Sequence, residues 1–322
     1  MKQKVLTLLC SSGSDYVSGE KISQALNISR TAVWKHMETL REEGYVIASV
    51  PRRGYKLVSG PDVLNPGELF KGLKTKSFGR DIRHYQSIDS TNTLARKLAE
   101  EGAQEGTVVL AEQQTQGKGR MDRQWLSPAG GIWMSIILKP QLPPYRVQGI
   151  TLVAAVAVVN AIKKVTGLTS LIKWPNDIYI EGRKVCGILT EMKAEMDRVH
   201  YIVMGIGLNA NNDLAGLDME VPAAGALSMF LPGQADRKAL VREILFQLEE
   251  NYLEYCREGI TSLLDLWREN NFTLGQPVVL KMGDQEFSGV AVDITPEGGL
   301  LLRDESGSTK VFYSGDVTVS GY

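Results

Sequence analysis

A multidomain α+β protein is predicted by three features of the sequence. A helical opening ends in a basic strand pair, a central stretch mixes short strands with helices, and the tail alternates short strands with glycine turns. The 322 residues exceed the usual single domain, and 43% hydrophobic with 23% charged residues is the balance of a globular chain. The expected segments are a winged helix-turn-helix over 1–62, its helix-turn-helix near 19–38, a central domain over 66–271 and a small β-barrel over 272–322.

In the first segment Ser18 is placed to cap a helix through "EKISQAL", with Ile22, Ala25 and Leu26 on one face, and Asn27 ends it. Ser29 caps the next helix, where Val33, Met37 and Leu40 recur at helical spacing until Gly44. Two helices across so short a turn form a helix-turn-helix unit. The strands "YVIASV" and "GYKLV" then meet at "PRRG", which puts Arg52 and Arg53 on a hairpin tip. Ser29, Arg30, Thr31, Trp34 and Lys35 lie at the outer N-terminal end of the second helix, the end that meets base edges in this motif, while a basic tip touches phosphates. Residues 1–60 hold nine Lys/Arg against five Asp/Glu, a charge of +4 within a chain of net −1. A basic segment on an acidic body suits a DNA partner for that segment alone. A small helical domain that binds another protein is the plainer alternative.

The central stretch reads as extended at "DIRHYQSI", helical at "TLARKLAEEG", then strands at "GTVVLAEQQ" and "GGIWMSIILKP". "ITLVAAVAVVNAI" is an apolar helix ending at Gly167, expected in the core and read as too short to span a bilayer. Strands joined by tight turns follow, so the expected sheet is mixed or antiparallel with helices covering it. Cys10, Cys186, Cys256 and the three histidines share no ligand spacing, which excludes a zinc site and a disulfide framework. The opening "MKQKVLTLLC" mimics a leader only faintly; the chain is expected in the cytoplasm, with no membrane partner.

Four stretches carry candidate chemistry. "DSTN" (Asp89 to Asn92) puts small hydrogen-bonding groups at a helix start, although helix capping alone also explains them. In "QTQGKGRMDRQW" the glycines let backbone N–H groups approach an anion, Lys118, Arg120 and Arg123 add charge, and Trp125 is able to stack on a flat ring. The loop is not a P-loop, because glycine follows Lys118. "KWPND" is ordinary turn chemistry or places Asp177 to hold Mg²⁺ for a nucleotide, and Lys184 alone reads as a solvated lysine. "GIGLNA" matches a dinucleotide fingerprint but no suitable helix follows, so it reads as a strand whose glycines Gly205 and Gly207 admit a ligand.

Together "SGEKISQALNISRTAVWKHM", "PRRGYKL", "DSTN", "QTQGKGR", "KWPND", "GRKVCGIL" and "GIGLN", in that order, resemble the bifunctional biotin–protein ligases that also repress biotin genes. The resemblance covers nearly the whole chain. It implies a class II synthetase-like central domain and an SH3-like barrel at the C-terminus. It implies that biotin and ATP form biotinyl-adenylate, with Mg²⁺ at Asp177, and that a lysine of the biotin carboxyl carrier protein of acetyl-CoA carboxylase then takes the biotin. By family position Gly117, Lys118, Gly119 and Arg120 wrap the junction of the biotin carboxylate and the α-phosphate, and Lys184 reaches the same oxygens. The catalytic groups are then Lys118, Arg120 and Lys184. Ser90, Thr91, Asn92, Gln114, Gly205 and Gly207 fall around biotin, Trp125 and Asn209 near the adenine. A homodimer that forms when the adenylate is bound and binds operator DNA is the implied regulatory form. Two rivals remain at this point, a biotin sensor without ligase activity and a lipoate-type ligase. The family's loop is often Gly-Arg-Gly-Arg, and Lys118 departs from it by losing the planar two-pronged grip of arginine.

Overall fold

The computed structural model describes residues 1–13, 15–214 and 224–319, and these fall into two compact units, Met1–Leu73 and Lys74–Tyr322. The first unit contains α1 (Lys2–Ser11), α2 (Gly19–Leu26), α3 (Arg30–Glu42), the hairpin β1 (Val46–Val50) and β2 (Gly54–Ser59), and α4 (Pro66–Phe70). Ser18 Oγ accepts from Lys21 N and Ser29 Oγ from Ala32 N, each at 3.1 Å, so both expected caps form. Asn27 ends α2 in the left-handed region at φ 51, which a short polar side chain tolerates. Val5, Leu6 and Leu9 of α1 pack with Ile22, Val33, Met37, Leu40 and Ile47 in one core. The apolar part of the opening stretch is therefore one face of a core helix. α4 also packs on α1, with Asn65 bonded to Gln3 and to Tyr45 Oη, which carries the first unit past residue 62 to Leu73.

The seven residues expected to meet DNA are all exposed in this unit. Three have engaged side chains: Ser29 caps α3, Arg30 pairs with Glu20, and the Arg53 guanidinium lies 4.8 Å over the Tyr16 ring. Trp34 is 52% exposed, far more than an indole needs for packing.

The second unit runs through β3 (Ile82–Tyr85), α5 (Thr91–Glu100), β4 (Val108–Ala111), β5 (Ile132–Leu138), α6 (Val147–Thr166), β6 (Leu171–Lys173), β7 (Asp177–Ile180), β8 (Arg183–Ala194) and β9 (Val199–Leu208). Then come α7 (Arg237–Glu258), α8 (Thr261–Glu269), β10 (Pro277–Met282), β11 (Gln285–Ile294), β12 (Leu300–Arg303), β13 (Thr309–Phe312) and β14 (Asp316–Val319). The central sheet has seven strands in the order β3-β4-β5-β9-β8-β7-β6, with β3 and β4 parallel and the other neighbours antiparallel. This is the mixed sheet predicted. α5 lies over it through Ala95 and Ala99 against Val109, Ile137 and Val203. The tail forms a five-stranded antiparallel sheet in the order β13-β12-β11-β10-β14.

The reading of the apolar helix as too short to span a bilayer is corrected. With the turn before it the helix runs Pro144–Thr166, 23 residues long and apolar enough to cross a membrane. Packing identifies it instead: 72% of its most apolar window is buried inside the protein, against α7 and the sheet. A helix apolar all round belongs in a core when neighbours cover it.

Candidate active site

Because β5, β9 and β8 are central strands, their pleats present a rigid floor, and the loop 114–127 folds back over it. Between floor and loop lies a cavity of about 480 Å³. Ser90, Thr91, Asn92, Gln114, Lys118, Gly119, Arg120, Trp125, Asp177, Lys184, Gly205, Gly207 and Asn209 all line it, so four separate stretches of sequence converge. Gly117 does not line this cavity. It is buried beneath the loop, where a Cβ would run into the Trp125 carbonyl and the Ser127 hydroxyl, so glycine here lets the loop close on itself.

One wall is polar. Ser90 caps α5, with Oγ accepting from Thr93 N at 3.4 Å. Thr91 and Asn92 are buried at 4% exposure each, and Gln114 Oε1 accepts from Thr91 N at 2.8 Å. Gly205 stands where any Cβ would collide with the Asn92 amide, and a Cβ on Gly207 would sit 2.6 Å from Trp125 Nε1. The glycines of "GIGLN" thus lie in β9 and admit these two side chains as well as bordering the cavity. Gly207→Ala is expected to push the indole off a strand that cannot yield, costing roughly 1–3 kcal/mol as in other overpacked sites. A urea unfolding curve reads that loss directly.

The opposite wall is cationic. Lys184 Nζ stands 2.7 Å from Asp177 Oδ1, off the line of a hydrogen bond, and 5.2 Å over the Trp125 ring. Arg120 donates to Asn176 Oδ1 at 3.0 Å and to the Gly315 carbonyl at 3.2 Å, while Arg123 pairs with Asp316. The β-domain after α8 therefore closes one edge of the cavity, with Asp316 in its lining. Burial pushes the Arg120 guanidinium down, opposed by Asp316 and Asp177; burial likewise lowers the Lys173 ammonium. The Arg120 shift marks a wall where a cation is short of solvent, which an anionic ligand relieves, while Lys173 lies over the Tyr179 ring rather than in the cavity lining. Burial, reinforced by Asp177, pushes the Cys186 thiol far up, so it is no nucleophile. Asn209 is less available than expected, since its Oδ1 accepts from Asn212 at 3.1 Å.

Among the described residues no group of three or more His, Cys, Asp or Glu is arranged for a metal. Asp177 is a single carboxylate beside a lysine, which fits Mg²⁺ only as one ligand beside nucleotide phosphates.

Several residues were missed in the sequence: Ser127, Ser135, Asn176, Glu191 and Asp316. Ser135 had a signal, a hydroxyl at 0% exposure inside the apolar strand "IWMSIIL", where a polar group needs a reason. Asp316 had none, because its partners lie some 193 residues away.

Residues 85–209 match the model of the biotin/lipoate A/B protein ligase family, residues 2–56 a helix-turn-helix domain and residues 273–320 the biotin protein ligase C-terminal domain. The chain is 42% identical to the bifunctional ligase/repressor BirA of Bacillus spizizenii over 319 residues, 98% of each. It is 29% identical to the protein of that name from Escherichia coli, over 98% of this chain and 96% of the other. Among solved structures it resembles the biotin protein ligase from Aquifex aeolicus in complex with biotin and ATP, at TM-score 0.64 and 27% identity over 74% of this chain and 98% of that one.

Proposed function

The chain belongs to the biotin/lipoate A/B protein ligase family, and from that premise we propose how its cavity works as a biotin protein ligase beside a helix-turn-helix repressor domain. The observation that carries the reading is the convergence of a polar wall and a cationic wall on one cavity. A biotin carboxylate oxygen attacks the α-phosphorus of ATP and pyrophosphate leaves, giving biotinyl-5'-AMP. An acceptor lysine of a biotin carboxyl carrier protein then attacks the acyl carbon, forming an amide and releasing AMP.

Both steps bring negative charge onto oxygens that two anions share. Lys118, Arg120 and Lys184 supply fixed positive charge there, and the backbone of Lys118 to Arg120 wraps the junction. Thr91, Asn92 and Gln114 hold the biotin ring, a group that wants several hydrogen bonds, and Trp125 offers its face to the adenine. Asp177 would hold a Mg²⁺ ion that arrived with the triphosphate, and the ion would supply neutralising charge there. No covalent intermediate on the protein is needed, so rate comes from positioning and charge. In the first unit α3 reads operator DNA while the hairpin tip holds its phosphates, and a homodimer of adenylate-bound chains provides the two-fold partner for it.

Lys118→Arg restores the planar fork of the commoner loop. It is expected to slow adenylate dissociation by roughly two- to fivefold, as a bidentate contact to phosphate replaces a point charge. An unchanged dissociation rate in a chase experiment would contradict that role. The activity itself is tested by mass spectrometry of a carrier domain incubated with ATP and either biotin or lipoate. Transfer of biotin alone supports the reading; transfer of lipoate, or of neither, overturns it.

A further inference from the structure

Much of the surface of α3 is taken up within its own unit. Val33, Met37 and Leu40 bury one face in the core. Ser29 Oγ holds the helix cap, and Arg30 pairs with Glu20 of α2. Thr31, Trp34 and Lys35 are left at the N-terminal end, three or four residues apart and so on one outward face. All three are exposed, and none makes a side-chain hydrogen bond, ion pair or ring contact with another described residue. One turn further along, the same face carries Glu38, paired with Arg41. A carboxylate there opposes the approach of phosphates, so the stretch of α3 that suits DNA is short and has the indole at its middle.

Trp34 is 52% exposed, where packing within the unit gives it no role. Lys35 and the tip arginines Arg52 and Arg53 attract a polyanion, but cations alone do not tell one sequence from another. An indole adds no charge; it adds a broad apolar surface that gains by leaving water. Base edges in the major groove are donors and acceptors, and the apolar group among them is the C5-methyl of thymine.

We infer that Trp34 packs against thymine methyl groups in the major groove and so makes α3 select T·A pairs, with Lys35 and the hairpin tip supplying charge that is blind to sequence. Trp34 is a specificity-determining residue, and the inference rests on the reading of the first unit as an operator-binding domain.

The test begins with a duplex selected from a random-sequence library by the full wild-type chain in the presence of biotin and ATP. That duplex is then synthesised again with deoxyuridine in place of every thymidine, which keeps the pairing and the charge and removes the methyl groups. Wild type should bind the uracil duplex roughly fourfold more weakly for each half-site, the effect of one methyl left in water. Trp34→Ala should bind the thymine duplex less well than wild type does, with its affinities for the two duplexes within about twofold of each other, because indole and methyl act on one contact. Its unfolding midpoint and the salt dependence of its binding should match wild type, since no core group and no phosphate contact is removed. Equal binding of the two duplexes by wild type overturns the inference and leaves the indole to a protein partner. A Trp34→Ala chain that prefers thymine as strongly as wild type overturns it as well. Failure to select any duplex would instead overturn the DNA reading of the first unit, and the inference with it.

Discussion

Lys184→Ala is expected to lower the rate of adenylate formation by roughly 10²- to 10³-fold, the usual cost of removing a donor aimed at developing charge. Lys184 sits on β8 at the rim of the cavity, its ammonium 2.7 Å from Asp177 Oδ1 and over the Trp125 ring. Both neighbours restrict the side chain before substrate arrives, so little has to be reorganised during the reaction. Asp177 is itself only 19% exposed at its side chain and would be left beside an empty space in the variant. The effect should fall on kcat, with biotin affinity changed by about threefold or less, because the ring is held on the opposite wall. Lys184→Arg keeps the charge and should recover part of the rate. Single-turnover kinetics separates these outcomes. A biotin Kd that rises as steeply as the rate falls would assign Lys184 to substrate binding instead.

The second large effect concerns stability. Arg237 at the start of α7 is 1% exposed and pairs with Glu112, 4% exposed, at 3.0 Å, and it also donates to the Gly131 carbonyl at 2.7 Å. His84 meets the other oxygen of Glu112 at 2.9 Å. Arg237 therefore ties the end of β4 to the start of β5, the two points from which the loop over the cavity departs and returns. Removing Arg237 takes the buried positive charge from beside the Glu112 carboxylate, so Arg237→Leu should cost roughly 3–5 kcal/mol. The double variant Arg237→Leu/Glu112→Leu should recover much of that, since two apolar groups replace both charges. Denaturant unfolding of the four proteins in the cycle measures it. A single variant within about 1 kcal/mol of wild type would show that the pair does not organise this region.

What the sequence disclosed follows the range of the interactions involved. Ser18, Ser29 and Asn27 act within a turn of their own helices, and the caps form as read. Gly167 ends α6 for the same local reason, at φ 76. The cavity was legible because the residues that line it come in short runs, each with its own composition. Their partners were not. Glu191 is 99 residues from Asn92, Arg237 is 125 from Glu112, and Asp316 is 193 from Arg123. No periodicity links such pairs; only the sheet order brings them together. The apolar helix shows the limit from the other side. Its length and composition suit a membrane as well as a core, and its packing inside the protein bears out the core reading.

The most direct test of the account is biotin-dependent exchange of labelled pyrophosphate into ATP by the purified chain, with lipoate as the control acid. Exchange needs adenylation and its reversal and no carrier protein, so it isolates the chemistry assigned to the cavity. Exchange with biotin and none with lipoate is the predicted result. No exchange with either acid, while biotin still binds, would contradict the account and leave a regulator that senses biotin without activating it.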